Sequence, residues 1–220
     1  MGSKRLIIAI DGPAGAGKST IAKKVADILG IEYIDTGAMY RAFTLKVLKS
    51  NIDINNVQQI VNLLDSTRIE FKNRHIYLDG IRVDEDIRDN SISNNVSNIA
   101  KIKEVREKMV EIQQELARSN NVIMDGRDIG TVVLPNANYK FFVTASVEER
   151  ARRRYKELLL KNADNITYEQ ILEEIKKRDE IDSNREISPL RKSPDAYVID
   201  TTNKTIDESV QEVISIIEGR

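Results

Sequence analysis

Short unbroken apolar runs alternate along the chain with stretches where apolar residues recur every three or four positions. The runs are LIIAI (Leu6–Ile10), VIM (Val122–Met124), FFV (Phe141–Val143) and YVI (Tyr197–Ile199), with EYI (Glu32–Ile34) a weaker fifth. A strand covered on one face alternates apolar and polar residues, whereas an unbroken run marks a strand buried on both faces of a parallel sheet. Between the runs, Ile102, Val105, Met109, Ile112 and Leu116 form one helical stripe. Ile206, Val210, Val213, Ile214 and Ile217 form another. Strand, helix, strand in repetition predicts an α/β domain with right-handed crossovers.

Two segments break the alternation. Residues 66–98 hold RIEF, HIYL and IRV, separated by Lys72-Asn73-Arg74 and by Asp79-Gly80. Asp-Gly between apolar runs is a strong hairpin signal, so a small antiparallel sheet is expected to be inserted there. Residues 150–191 are dense in charge and read most simply as two solvated helices. Their unusual feature is the crowding of Arg150, Arg152, Arg153 and Arg154, followed by Arg178 and Arg185.

Composition narrows the function classes. The chain has 220 residues, 34 basic and 35 acidic, for a net charge of -1. That length suits one domain with insertions. The charge balance argues against a nucleic-acid or membrane-surface partner, which would select a net basic face. With no cysteine, disulfides and thiolate metal sites are excluded. A single histidine, His75, leaves almost no material for histidine zinc sites or a Ser-His-Asp triad, and His75 itself is assigned no chemistry. No apolar run approaches a membrane span and no signal-peptide pattern opens the chain, so a soluble cytoplasmic protein is expected.

The chemistry begins where LIIAI ends. Gly12, Pro13, Ala14, Gly15, Ala16, Gly17, Lys18 and Ser19 satisfy G-x4-G-K-[ST], with Thr20 next. Small residues let backbone amides close around phosphate oxygens, and the helix that follows aims its positive end at the same anion. Lys18 places a charge on the outer phosphates, and Ser19 offers a hydroxyl to Mg²⁺. The motif has the strand before it and the amphipathic helix after it that its mechanics require, so it predicts a nucleoside triphosphate site.

Three classes use such a loop: GTPase switches, mechanical ATPases and small-molecule kinases. The nearest approach to the guanine-reading Asn-Lys-x-Asp is NKTID at Asn203–Asp207, where the acid comes one place late. Thr205 to Glu208 there fits a helix capping box instead. After VIM come Asp125, Gly126, Arg127 and Asp128. A lone Asp125 suits a metal or its water shell, and Arg127 and Asp128 suit a substrate crevice at a strand's C-terminal end. Arg41, Arg127, Arg178 and Arg185 lie in four places that an α/β fold could bring together. Transfer between two phosphates needs no base, because the acceptor oxygen is already ionised. It needs charge neutralisation, for which the arginine fork is suited. A kinase is therefore favoured. A kinase of another small anion, such as shikimate or dephospho-coenzyme A, and a non-enzymatic nucleotide switch stand as alternatives.

The chain resembles the bacterial cytidylate kinases in IDGPAGAGKST, DTGAMYR, VSNIA with VRE, DGRDIGTVV and RDEIDSNREISPL, which follow the family's order over nearly the whole chain. The resemblance implies a single kinase domain over residues 1–220, with a P-loop NTPase-type parallel five-stranded sheet flanked by helices. It also implies an inserted antiparallel domain for the nucleoside monophosphate at 66–98 and a helical lid at 152–187. The implied activity is ATP-dependent phosphorylation of CMP and dCMP, with Mg²⁺ bound to ATP, in a monomer. Arg41, Arg127 and Arg185 would grip the acceptor phosphate. Thr36, Arg106 and Asp128 would read cytosine, and Ser97, Arg178 and Asp182 would hold the sugar. Lys18, Arg127, Arg178 and Arg185 would stabilise the migrating phosphoryl group, and Ser19 and Asp125 would serve the metal. Thr36 stands where some members carry serine and keeps the hydroxyl. The base chemistry agrees: a carboxylate accepts from the cytosine N4 amine, and uracil presents an acceptor there instead. The plainer role for Asp128 is a cap on its own loop.

Overall fold

The structure, a computed structural model, describes residues 5–72, 74–118, 120–160 and 166–219. Strand β1 (Ile7–Asp11) runs through the glycine loop into helix α1 (Lys18–Leu29), and β2 (Glu32–Asp35) runs directly into α2 (Thr36–Lys49) and then α3 (Val57–Leu64). Three short strands follow, β3 (Ile69–Lys72), β4 (His75–Leu78) and β5 (Ile81–Arg82). Helices α4 (Asn90–Ala100) and α5 (Lys103–Ala117) lead to β6 (Val122–Gly126) and β7 (Tyr139–Thr144). The chain ends in α6 (Val147–Leu160), α7 (Tyr168–Asn184), β8 (Tyr197–Asp200) and α8 (Ile206–Glu218).

The five apolar runs form one sheet in the order β2-β6-β1-β7-β8, every pair parallel. Residues alternate between the sheet's two faces, as the pleat requires. On one face Ile8, Ile10, Ile123 and Phe141 pack with Ile21 and Val25 of α1 and Val210 and Val213 of α8. On the other, Ala9, Ile34 and Met124 pack with Ala117 of α5 and the turn from Ile129 to Val133. The register sets Asp35 beside Asp125 and Asp11 beside Gly126, so β2, β6 and β1 end together on one rim. YVI departs from the sequence reading. β8 is the sheet edge, with Tyr197 and Val198 about half exposed and only Ile199 buried. An edge strand lacks a neighbour to cover it, and an apolar run does not reveal which strand ends a sheet.

The inserted antiparallel sheet exists, in the order β3-β4-β5, but it occupies only residues 69–82. Asp79 (φ 50°) and Gly80 (φ 83°) form its second turn, both in the left-handed region that a two-residue hairpin needs. At the first turn Lys72 pairs with His75, and Arg74 has φ 66°; Asn73 lies outside the described residues. The rest of the span 66–98 is largely helical. The polar sequence NSISNNVSNIA hid α4, whose buried apolar stripe is only Ile92, Val96, Ile99 and Ala100. The small sheet is also not a separate unit: Ile69, Ile76 and Leu78 share a core with α2, α3, α4 and α5.

The charged stretch forms the two expected helices. Arg152 is a solvated residue paired with Glu149, but Arg150 is buried, which corrects the solvated reading at that position. Ala151 and Leu158 of α6 meet Ile171 and Ile175 of α7 in a small core of their own. Residues 161–165, part of the expected lid, lie outside the described residues. Among the described residues no helix is long and apolar enough to cross a membrane.

Candidate active site

The glycine loop bridges the β1 rim and α1. Gly12 has φ 146°, and a Cβ there would stand 1.9 Å from the Val143 carbonyl oxygen of β7, so no side chain fits. Gly17, at φ 90°, caps the N-terminus of α1 without a side chain. The amides at that helix end therefore face outward toward the loop's concavity, where an anion is favoured. Lys18 is buried and its Nζ donates to the Pro13 carbonyl at 2.7 Å. Burial, and then repulsion from Arg127, lowers its affinity for the proton well below that of an ordinary lysine, while Asp125 opposes both. An ammonium held in such a place gains strongly from an anionic ligand.

Behind the loop, Ser19 Oγ donates to Asp125 Oδ2 at 2.9 Å and Tyr33 Oη donates to Asp125 Oδ1 at 2.8 Å. Burial, then the neighbouring Asp35, raises the Asp125 carboxyl above its usual range. Asp35 closes β2 and opens α2: it accepts from the Ala38 amide at 2.9 Å and from Arg41 Nη2 at 2.9 Å. One carboxylate thus caps the helix and orients the arginine that the helix carries.

All nine residues expected to bind the acceptor line one cavity of about 180 Å³ beside the loop. Helix α2 brings Thr36 and Arg41, α4 brings Ser97, and α5 brings Arg106. The β6 end supplies Arg127 and Asp128, and α7 with its C-terminal boundary supplies Arg178, Asp182 and Arg185. Arg127 Nε donates to Asp182 Oδ2 at 2.8 Å, and Ser97 Oγ lies 3.3 Å from the other oxygen of that carboxylate. Against the cost of its burial, Arg127 and Arg178 hold the Asp182 carboxyl below its ordinary value. Asp128 is buried and ion-paired with Arg106, with Arg185 Nη2 at 3.7 Å. It makes no cap hydrogen bond to its own turn. The Thr36 hydroxyl is already committed, donating to the Asp125 carbonyl at 2.7 Å.

The cavity's charge is unbalanced. Lys18, Arg41, Arg106, Arg127, Arg178 and Arg185 face four carboxylates, those of Asp35, Asp125, Asp128 and Asp182. Among the described residues, Arg178 Nε and Arg185 Nη2 are buried donors with no hydrogen-bond partner. Burial, and then Arg127, pushes Arg178 down to about 10. Buried donors are nearly always satisfied, so these mark where an anionic ligand completes the structure.

Several residues of the site were given no role from the sequence. Tyr40 supports Arg106 from below, its ring centroid 5.3 Å from the guanidinium carbon. Its neighbour in DTGAMYR, Arg41, drew the attention instead. Arg150 joins the Ala14 carbonyl (3.2 Å) to Asp179 of α7 (2.6 Å), so the loop and the proposed lid share one guanidinium. Asp11 accepts from the Ile129 and Gly130 amides at 2.7 Å each. No local spacing announces such pairs, which lie between 29 and 136 residues apart.

Residues 8–219 match the sequence profile of a family described as cytidylate kinase. The chain is 59% identical over 212 residues to a cytidylate kinase of Clostridioides difficile (strain 630), covering 96% of this chain and 98% of that protein. It is 54% identical over 212 residues to a cytidylate kinase of Alkaliphilus oremlandii (strain OhILAs), covering 96% and 97%. Among solved structures, a shikimate kinase from Bacteroides thetaiotaomicron superposes with a TM-score of 0.50 at 14% identity, covering 97% of this chain and 98% of that one. At that identity the likeness speaks for the fold alone.

Proposed function

The chain belongs to the cytidylate kinase family and phosphorylates CMP, and from that premise we propose how its residues divide the work. The observation that supports the division is the cationic cavity beside the glycine loop, with buried arginine donors that find no partner inside the protein. ATP lies with its phosphates on the loop amides of residues 12–20 and its outer phosphate against Lys18. CMP enters the cavity with its phosphate among Arg41, Arg127 and Arg185. Asp128 and Arg106, with Thr36, face the base. Ser97, Asp182 and Arg178 face the sugar, and Arg178 and Arg127 also reach toward the bridging region. dCMP is accepted too.

Two anions must approach within bonding distance, and their repulsion is the main barrier that a protein can lower. The CMP phosphate oxygen attacks the γ-phosphorus in line, the bond to the β-bridging oxygen breaks, and ADP leaves with that electron pair. No base is required, because the attacking oxygen carries no proton. Thr36 contributes to the base site by its fixed position, since its proton is spent on Asp125. The Ser19–Asp125 pair suits Mg²⁺, and among the described residues no cluster of three or more acidic or histidine ligands competes for a divalent ion. Mg²⁺ takes few protein ligands and completes its shell with water and phosphate, and when bound it would neutralise charge on the ATP phosphates. Ser19 and Asp125 would hold it, and Tyr33 keeps the Asp125 carboxylate oriented.

A coupled assay of ADP release over CMP, dCMP, UMP, AMP and shikimate tests the assignment. Rapid turnover is expected with CMP and dCMP, weak turnover with UMP and none with shikimate. Equal rates with CMP and UMP would remove Asp128 and Arg106 from the base site. ADP release that ignores the acceptor would leave the cavity without a substrate.

A further inference from the structure

Asp128 starts the turn Ile129–Val133, where an aspartate would ordinarily accept from an amide two or three residues on, Gly130 the nearer. It does not do so here. The Gly130 amide and its neighbour at Ile129 are taken by Asp11, which reaches across from the end of β1: Ile129 N donates to Oδ1 and Gly130 N to Oδ2, each at 2.7 Å. Gly130 makes the approach possible, because a Cβ there would meet Asp11 Oδ2 at 3.3 Å and the Lys140 side chain at 3.2 Å. Both carboxylates are buried, and they have different occupations: Asp11 is turned to the backbone, Asp128 to Arg106.

We propose that Asp11 is a positioning residue for base selection, capping the turn in place of Asp128 and so leaving the Asp128 carboxylate free for the substrate. The inference rests on the reading of Asp128 as a base contact. Its physical content is a competition. The amides of Ile129 and Gly130 are strong donors in a buried place and will take the nearest carboxylate. With Asp11 intact, they are satisfied and Asp128 stays with Arg106. Without it, Asp128 is two residues before the Gly130 amide, the spacing at which a side chain caps a turn, and in accepting from it Asp128 turns away from the cavity. Asp11 is also the residue immediately before Gly12. One side chain therefore ties the strand that carries the ATP loop to the segment that faces the base.

The test compares Asp11→Asn, Asp128→Asn and the double variant at a pH above the Asp11 titration, where its carboxyl is ionised. The readouts are kcat/KM for CMP and for UMP, KM for ATP, and hydrogen exchange at the Ile129 and Gly130 amides. Asparagine keeps the size of Asp11 but offers one acceptor and sets an amide donor against the second N–H. Loss of one good base-edge pair amounts to roughly 5- to 150-fold in discrimination. Asp128→Asn should lower the CMP-to-UMP ratio within that range. Asp11→Asn should lower it by at least about fivefold, with KM for ATP changed by less than about twofold, and the double variant should lose no more than Asp128→Asn alone. Exchange at both amides should accelerate in Asp11→Asn. Unchanged discrimination in Asp11→Asn, or losses that multiply in the double variant, overturns the inference while the base reading survives. Unchanged discrimination in Asp128→Asn overturns the base reading, and this inference with it. If Asp11→Asn fails to fold, the wild-type protein still decides: both amides must be protected from exchange without substrate, and rapid exchange at the pair overturns the proposal.

Discussion

At the scale of single residues, the site works by committing most polar atoms to each other and leaving a few donors over. Arg185 shows the division. Its Nε donates to the Ser188 carbonyl at 2.5 Å, while Nη2 has no hydrogen-bond partner and lies 3.7 Å from Asp128. Lysine can fill one of these positions but not both, because it lacks the planar fork. Arg185→Lys should lower kcat by about tenfold or more, the scale of one lost charge-assisted bond of about 1.5–3 kcal/mol. KM for ATP should stay near normal; an unchanged kcat would return Arg185 to a packing role. Asp11 gives a prediction about pH. Burial pushes its carboxyl up to about 7, with Asp128 adding to the rise and the two amides and Lys18 resisting it. The folded chain therefore holds this proton at pH values where the unfolded chain, with an ordinary aspartate, has lost it. The contribution is fully present below about 4, declines as pH rises to about 7 and is level above that. The urea midpoint of wild type relative to Asp11→Asn should fall across that window, and a difference that is flat in pH would contradict the shift. The nine residues proposed to face the acceptor were all named from the sequence, because each sits in a short distinctive string, and they line one cavity. Asp11 sits in such a string too, but its partners are more than a hundred residues away, so its role needed the fold.

At the scale of elements, the end of a helix was easier to foresee than its neighbours. The Thr205–Glu208 capping box is present, with the Thr205 hydroxyl accepting from the Glu208 amide at 3.2 Å and the Glu208 carboxylate accepting from the Thr205 amide at 2.8 Å. Thr205→Ala should cost about 1 kcal/mol in chemical denaturation. Helix α4 escaped notice because only four of its eleven residues are buried apolar positions, and the polar remainder reads as loop. Edge position was equally hidden: YVI is as apolar as FFV, and only pairing shows that one strand is central and the other terminal. Helices α6 and α7 are joined to each other by an apolar core, but their ties to the body described above are polar. Arg150 reaches Ala14, Arg154 reaches Asn90 at 2.9 Å, and Asp182 meets Arg127 and Ser97. Polar ties exchange partners at lower cost than packed apolar ones. Hydrogen exchange in α6 and α7 should slow when CMP and a non-hydrolysable ATP analogue are added together, and equal protection with and without them would contradict a moving lid.

At the scale of the whole molecule, a chain of net charge -1 concentrates six cations around one cavity. Four carboxylates line the same cavity and only partly offset them, so the cavity attracts anions although the protein as a whole does not. Sulfate should raise the melting temperature more than chloride at equal ionic strength, as a ligand does that binds the folded state alone. The increment should shrink in Arg178→Gln, and an equal increment in both proteins would mean that the anion binds elsewhere. The parallel sheet also fixes an order of events during synthesis. The ATP loop is made before the strands that flank β1, which has no neighbours until β6 and β7 are made. The loop is then still incomplete, because the Thr201 hydroxyl after β8 donates to the Ala16 carbonyl at 3.1 Å and Arg153 grips the Thr201 carbonyl at 2.6 Å. At roughly 5–20 residues per second, about 180 residues of translation separate the loop from the Thr201 support. A nascent chain that stalls before Thr201 therefore carries the full nucleotide motif without a finished cradle, and the cradle closes only after β8 is made.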